Sequence, residues 1–167
     1  MSPVVRTWLV FAAVGAGLIH LALALGAPGG IAAALAIAGL GEFALGLATF
    51  AAARLLVPRI ALAAALTPTA LWAVAILALG PEPSLKVFPL AVASLLELFI
   101  AAAIAVFLRR ERDGMTVPAA SATRSYLHGS VAGGLVIAAL TLGGLAATDA
   151  ASFVAPAGSF TDEHDPH

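Results

Sequence analysis

The chain has 167 residues, of which 62% are hydrophobic and 10% are charged, and its formal net charge at pH 7 is −1. This hydrophobic fraction is higher than that of a soluble domain and indicates an integral membrane protein. The near-neutral charge argues against a nucleic-acid partner, and the absence of cysteine excludes disulfides and thiolate metal sites.

Hydropathy divides the chain into five predicted transmembrane helices, which predicts an all-α bundle in the lipid bilayer. In chain order the spans cover residues 7–25, 31–53, 60–79, 87–108 and 126–147. Each is close to the roughly 20 residues that cross a hydrocarbon core of about 30 Å. Turns rich in glycine and proline follow the first and third spans. We therefore expect one transmembrane domain over residues 1–148 and a flexible acidic tail over residues 149–167.

The basic residues predict the orientation of these spans. Seven arginines fall on one side of the predicted membrane and Lys86 falls on the other. The arginines are Arg6, Arg54, Arg59, Arg109, Arg110, Arg112 and Arg124. The positive-inside rule then places the N-terminus in the cytoplasm and the tail outside. Seven arginines against one lysine, together with frequent alanine, glycine and leucine, are typical of a high-GC bacterium and favour its cytoplasmic membrane.

The first 27 residues also have features of a secretory signal peptide, because Arg6 precedes an apolar run that ends in small residues. That run is longer than the roughly 7 to 15 residues of an apolar signal core and contains His20. We therefore favour a first transmembrane span and keep a cleaved leader as the alternative.

Two glutamates, Glu42 and Glu97, lie near the middle of the second and fourth spans. A charge at the centre of a membrane helix costs roughly 2.5 to 3.5 kcal/mol on insertion scales, so such residues face the bundle interior and have a role there. Small residues share the face of each acid at helical spacing. They are Gly39, Gly46 and Thr49 around Glu42, and Ala93, Ser94 and Ala101 around Glu97.

Other polar residues are predicted near the depth of these acids. In the third span Thr67 and Thr69 flank Pro68, which removes a backbone donor and frees the carbonyl of Ala64. His20 lies roughly 9 Å below the predicted external surface, within reach of Glu42 directly or through one water. Two carboxylates and one imidazole suit a divalent metal ion or a proton relay. The alternative is a histidine that is hydrogen-bonded only for helix packing.

The two hairpins before the fifth span show an internal similarity. Residues 23–28 match residues 77–81, and a glutamate and then an arginine follow each match at nearly equal distances. This pattern predicts two parallel repeats that bring Glu42 and Glu97 face to face. Chance similarity between helices rich in alanine and leucine is the alternative.

Three further features bear on cofactors, activity and partners. His128 begins the fifth span on the cytoplasmic side, so His20 and His128 cannot both ligate one haem, and haem is not expected; five-coordinate haem and a His20 pair across a dimer stay open. The tail residues His164, His167 and Asp165 form a weaker metal candidate, and a merely solvated tail is the alternative. No motif of a soluble-type enzyme is present in the sequence.

The fifth span, 126–147, carries small residues at four-residue spacing, a pattern suited to close pairing inside the bundle, in a homo-oligomer or in a larger membrane complex. The pairs are Gly129 and Gly133, Ser130 and Gly134, and Ala139 and Gly143.

The run Gly17-Leu18-Ile19-His20-Leu21-Ala22, the Gly41-Glu42 helix and the tail together resemble small uncharacterised bacterial integral membrane proteins. Those proteins have a histidine late in the first span and an external tail with histidines; the tail here has fewer. The resemblance implies a polytopic membrane protein and assigns no activity. Two hypotheses follow: a protein that binds or conducts a small cation or proton through His20, Glu42 and Glu97, and a non-catalytic accessory or assembly subunit.

Overall fold

The fold is a bundle of α-helices, seen in a computed structural model that describes residues 1–55, 57–79, 86–114 and 123–148. These residues form α1 (Pro3–Gly26), α2 (Gly29–Ala51), α3 (Pro58–Leu79), α4 (Val87–Arg112) and α5 (Thr123–Ala146). The predicted all-α fold of five helices is confirmed. The tail candidates His164, His167 and Asp165 lie outside the described residues.

The helices begin and end where local chemistry allows, which differs by a few residues from the predicted spans. α1 starts at Pro3 because Ser2 caps it and accepts a hydrogen bond from the Val5 N–H at 3.3 Å. α4 continues to Arg112, since arginines in its last turn are favoured by the helix dipole. Hydropathy marks the edge of the hydrocarbon core, and capping and charge decide how far each helix continues beyond it.

The surface of the bundle is apolar. α1, α2, α4 and residues Leu127–Ala146 of α5 are long and apolar enough to cross a membrane, and α3 contributes a shorter apolar stretch, Pro58–Val74. Large apolar side chains point outward on several helices, for example Ile37, Phe50, Leu77 and Leu135. Helices that are apolar on every side are typical of membrane spans, so the protein is an integral membrane protein.

α1 is the central helix of the bundle. It packs most extensively on α2 and also contacts α4 and α5, while α3 packs mainly on α4 and only lightly on α2. α5 lies against α1 and α4. Helices α1 to α4 therefore surround a common interior, and the boundary between α2 and α3 is its most loosely packed side.

Arginines mark one end of the bundle. The Arg6 guanidinium donates to the carbonyl of Ala53, and Trp8 Nε1–H donates to the carbonyl of Gly129 at 3.0 Å. The start of α1, the α2–α3 connection and the first turns of α5 therefore lie together. We call this the arginine-rich end, and the opposite end, which holds the connection between α1 and α2, the turn end.

The interior near the arginine-rich end is apolar and closely packed. Leu9, Ala12, Ala61 and Ile104 are each at most 1% exposed and belong to one core cluster. They fill the bundle between that end and the polar residues at its middle.

Candidate intramembrane cation site

His20 lies between two carboxylates in the middle of the bundle. Its Nδ1 is 2.9 Å from Glu42 Oε2, and its Nε2 is 3.5 Å from Glu97 Oε1. His20 and Glu97 are at most 1% exposed, and Glu42 is 6% exposed. The short contact between Nδ1 and Oε2 requires a hydrogen between the two atoms, because otherwise two acceptors would face each other.

A glycine pair sets the spacing between α1 and α2 beside this cluster. A Cβ added at Gly17 would lie 2.7 Å from the carbonyl oxygen of Gly39, and a Cβ added at Gly39 would lie 2.7 Å from that of Gly17. The two backbones touch here, so any larger side chain would push the helices apart. Close approach through small residues is typical of helix pairs in membranes.

The same pairing explains how His20 reaches Glu42. His20 follows Gly17 by three residues on α1, and Glu42 follows Gly39 by three residues on α2. Because the two helices are antiparallel, these steps run in opposite directions and separate the two Cα atoms by about 9 Å along the axis. Side chains lean toward the N-terminus of their helix, and α1 and α2 are antiparallel, so the two side chains lean toward each other. The two inclined side chains span this axial separation, so His20 and Glu42 are in direct contact and no water is needed between them.

Glu97 reaches the cluster from α4 and has a second partner on α3. The Thr69 hydroxyl donates a hydrogen bond to Glu97 Oε2. Each of the four helices α1 to α4 thus contributes one polar side chain to the cluster, namely His20, Glu42, Thr69 and Glu97.

Both carboxylates have an oxygen without a donor. Glu42 Oε1 and Glu97 Oε1 are buried and lack a hydrogen-bond partner among the described residues. The contact of Glu97 Oε1 with His20 Nε2, at 3.5 Å, is too long for a good hydrogen bond. A buried acceptor without a partner costs about 1 to 3 kcal/mol, and more when it is charged. With both acids ionised, the cluster is therefore short of positive charge and of donors.

The geometry is close to that of a metal site. One ligand atom from each of His20, Glu42 and Glu97 can be chosen so that all three lie within 4.8 Å of one another. Two atoms bound to one tetrahedral zinc at about 2.0 to 2.2 Å are about 3.4 Å apart, so a pair of these atoms at 4.8 Å would have to approach each other by about 1.4 Å for all three to bind it. Three protein ligands would leave a further position open.

The other predicted polar residues lie in different surroundings. Thr67 is exposed and its hydroxyl donates to the carbonyl of Ala63 in its own helix, at 2.8 Å. Thr49 is buried, two turns of α2 from Glu42, and Ser94 is half-buried on α4. Among these described residues and Thr69, the structure shows a hydrogen bond to the acids from Thr69.

A cavity adjoins the cluster, and nothing in the sequence analysis indicated it. It has a volume of about 690 Å³, lies between α2 and α3, and has both Glu42 and Glu97 in its wall. Trp72 also lines it. The signals that could have found it are Gly41 on α2 and Pro68 on α3, which both line the cavity.

The glycines of α5 are mostly used inside the bundle. A Cβ added at Gly129 would contact Val4, one at Gly133 would clash with Trp8, and one at Gly134 would contact Phe11. Gly143 faces outward, and a Cβ there would meet no described atom within 4 Å. In the first half of α5, the small residues therefore pack against α1.

Fold and cluster together define a multi-pass α-helical membrane protein with a carboxylate–imidazole cluster at the centre of its bundle. Comparison with protein-family models, curated proteins and solved structures found no match. The resemblance to small bacterial polytopic membrane proteins stays a prediction.

Proposed function

We propose that this protein binds or conducts a small cation, either a divalent metal ion or a proton, at His20, Glu42 and Glu97. The observation that carries the proposal is the pair of buried carboxylate oxygens, Glu42 Oε1 and Glu97 Oε1, that lack a donor within the described bundle. We further propose that the protein resides in a bacterial cytoplasmic membrane with its arginine-rich end in the cytoplasm.

Charge counting supports a cation. With a neutral imidazole, two ionised carboxylates carry a charge of −2 in a medium where uncompensated charge is very costly. One divalent ion, or two protons, would balance that charge. The oxygen-rich donor set with one imidazole suits a hard or borderline ion such as Mg²⁺, Mn²⁺ or Zn²⁺.

A purely structural role for the cluster fits less well. Buried polar side chains that serve packing are nearly always hydrogen-bonded, because a buried polar group without a partner loses its hydrogen bonds to water and destabilises the fold. Here His20 and Thr69 satisfy one oxygen of each carboxylate, and when both acids are ionised the second oxygen of each is left without a donor. A proton on one of the two acids would supply a donor to the other, which is the proton form of the proposal.

The test is thermal unfolding of the purified protein with and without Mg²⁺, Mn²⁺ or Zn²⁺. At an ion concentration of 100 times Kd, a bound ion adds about 2.7 kcal/mol to the free energy of unfolding. For a chain of this size that gain raises Tm by about 5 to 10 °C. The Glu42→Gln, Glu97→Gln double variant should lose the rise, and Glu111→Gln, the same change at an exposed position of α4, should keep it.

The proton alternative is tested by proton uptake into proteoliposomes loaded with a pH-sensitive dye. Wild-type protein should admit protons faster than the double glutamine variant. Equal metal responses together with equal proton uptake in the two proteins would contradict the proposed function.

A further inference from the structure

The cavity between α2 and α3 is much larger than an ion requires. We call it the α2–α3 cavity; its wall includes Gly30, Ala34, Gly41, Pro68 and Trp72 besides the two glutamates. At about 690 Å³ its volume is roughly twenty times the share of one water molecule. That volume lies within the range of pockets that hold small organic molecules, roughly 300 to 1,000 Å³.

The cavity runs from the turn end down to the glutamates. On α2 its wall extends from Gly30, in the first turn of the helix, to Leu45, a distance of about 22 Å along the axis. Toward the arginine-rich end, Leu9 and Ile104 are fully buried in the apolar core. A ligand therefore reaches the glutamates from the turn end or through the loosely packed boundary between α2 and α3.

The chemistry of the wall combines an apolar body with an acidic end. Apart from Glu42, Glu97 and Thr67, the residues that line the cavity carry no polar side chain other than the indole of Trp72. Glu42, at 6% exposure, and Glu97, which is fully buried, both line the cavity and form its acidic end. A complementary ligand has an apolar body and a positively charged end with N–H donors for the free carboxylate oxygens.

We propose that the α2–α3 cavity binds a lipophilic primary amine, with its ammonium group at Glu42 and Glu97 and its apolar body between α2 and α3. This inference rests on the proposed function, because it uses the same carboxylates, and it names the class of organic cation that the site accepts. Trp72 suits such a ligand, since an indole ring attracts organic cations as well as apolar groups.

The experiment measures saturable binding of radiolabelled decylamine to the protein in lipid nanodiscs, with protein-free nanodiscs subtracted. Decanol, which has the same chain and no charge, is the matched ligand. We expect wild-type protein to bind decylamine at least tenfold more tightly than decanol. Decylamine should also compete with Mn²⁺ and abolish the metal-dependent rise in Tm, whereas decanol should not.

Two glycine variants test the place of binding. Gly41 lines the cavity and a Cβ on it meets no described atom within 4 Å, so Gly41→Leu adds side-chain volume to the cavity without replacing any of the three cation ligands. Gly143→Leu makes the same change on the outer face of α5, at an equally open position. We expect Gly41→Leu to weaken decylamine binding at least tenfold and to keep the Mn²⁺ response, and Gly143→Leu to behave as wild type.

Equal binding of decylamine and decanol would overturn the inference, as would wild-type decylamine affinity in Gly41→Leu. Absence of competition between decylamine and Mn²⁺ would also overturn it. A wild-type protein that responds to Mn²⁺ but does not bind decylamine contradicts this inference alone. Failure of the metal and proton tests instead contradicts the proposed function.

Discussion

His20 holds the cluster together because each of its ring nitrogens faces a different carboxylate. A neutral imidazole can donate from one nitrogen and accept at the other, and a charged imidazole donates from both. The ring lies between Glu42 on α2, at 2.9 Å, and Glu97 on α4, at 3.5 Å, and is itself a side chain of α1. The cluster therefore couples three helices through one residue.

Thr69 should contribute to the cluster through its hydroxyl, and Thr67 should not. Thr69→Val keeps the shape of the side chain but removes the donor to Glu97 Oε2, which should lower the free energy of unfolding by about 1 to 3 kcal/mol. Thr67→Val loses only a bond to its own helix and should change it by about 0.5 kcal/mol or less. Chemical denaturation of both variants, in the same detergent, gives the comparison. Equal effects would contradict a role for Thr69 in holding Glu97.

For these two threonines, the sequence predicts the depth in the membrane but not the direction of each side chain. The sequence placed Thr67 and Thr69 at one depth, but two residues along a helix point in directions about 200° apart. Which of them faces Glu97 depends on the rotation of α3 against α4. That rotation is set by packing across the whole helix pair, and no local pattern reports it.

Between the elements, the decisive contact is the one between α1 and α2 at Gly17 and Gly39. It brings the two backbones close enough for His20 and Glu42 to span their axial offset with side chains alone. Gly39 was predicted to lie on the acidic face of α2, while its direct contact with Gly17 depends on how α1 and α2 are aligned.

Alanine at either glycine should therefore separate His20 from Glu42. Gly17→Ala and Gly39→Ala each place a methyl group 2.7 Å from a carbonyl oxygen of the other helix, which should cost about 1 to 3 kcal/mol of stability and weaken Mn²⁺ binding. Gly41→Ala, where the added carbon meets no described neighbour within 4 Å, is the control and should bind Mn²⁺ normally. Thermal unfolding with a Mn²⁺ titration measures both effects. Wild-type affinity in Gly39→Ala would show that the glycine contact does not position the site.

At the scale of the whole molecule, the α1–α2 and α3–α4 hairpins make different contacts in the bundle. α1 is the central helix, while α3 contacts α4 and touches α2 only lightly. In the alignment of the two turns, the position that matches His20 is Val74, so the second hairpin offers no equivalent imidazole. Duplication of the hairpins stays a prediction, but the two halves have different roles at the cluster.

The distribution of arginines predicts which end of the bundle faces the cytoplasm. The sequence contains no cysteine, so a single introduced cysteine can be labelled without background. In intact bacterial cells a membrane-impermeant maleimide should label Gly29→Cys at the turn end. Asp113→Cys, at the arginine-rich end, should react only after the cells are permeabilised. The reverse pattern would show that the cavity faces the cytoplasm.

Membrane residence, five helices and the choice of His20, Glu42 and Glu97 as candidate residues followed from the sequence by itself. Hydropathy, turn residues and isolated charges are local properties that can be read along the chain. An acid in a membrane span stands out because burying it in lipid is costly. Only the tertiary structure decided that all three side chains meet and that Thr69 rather than Thr67 joins them. It alone also shows the cavity beside the acids. These features depend on the spacing and rotation of helices whose contacting residues, such as Gly17 and Gly39 or Thr69 and Glu97, are far apart in the chain.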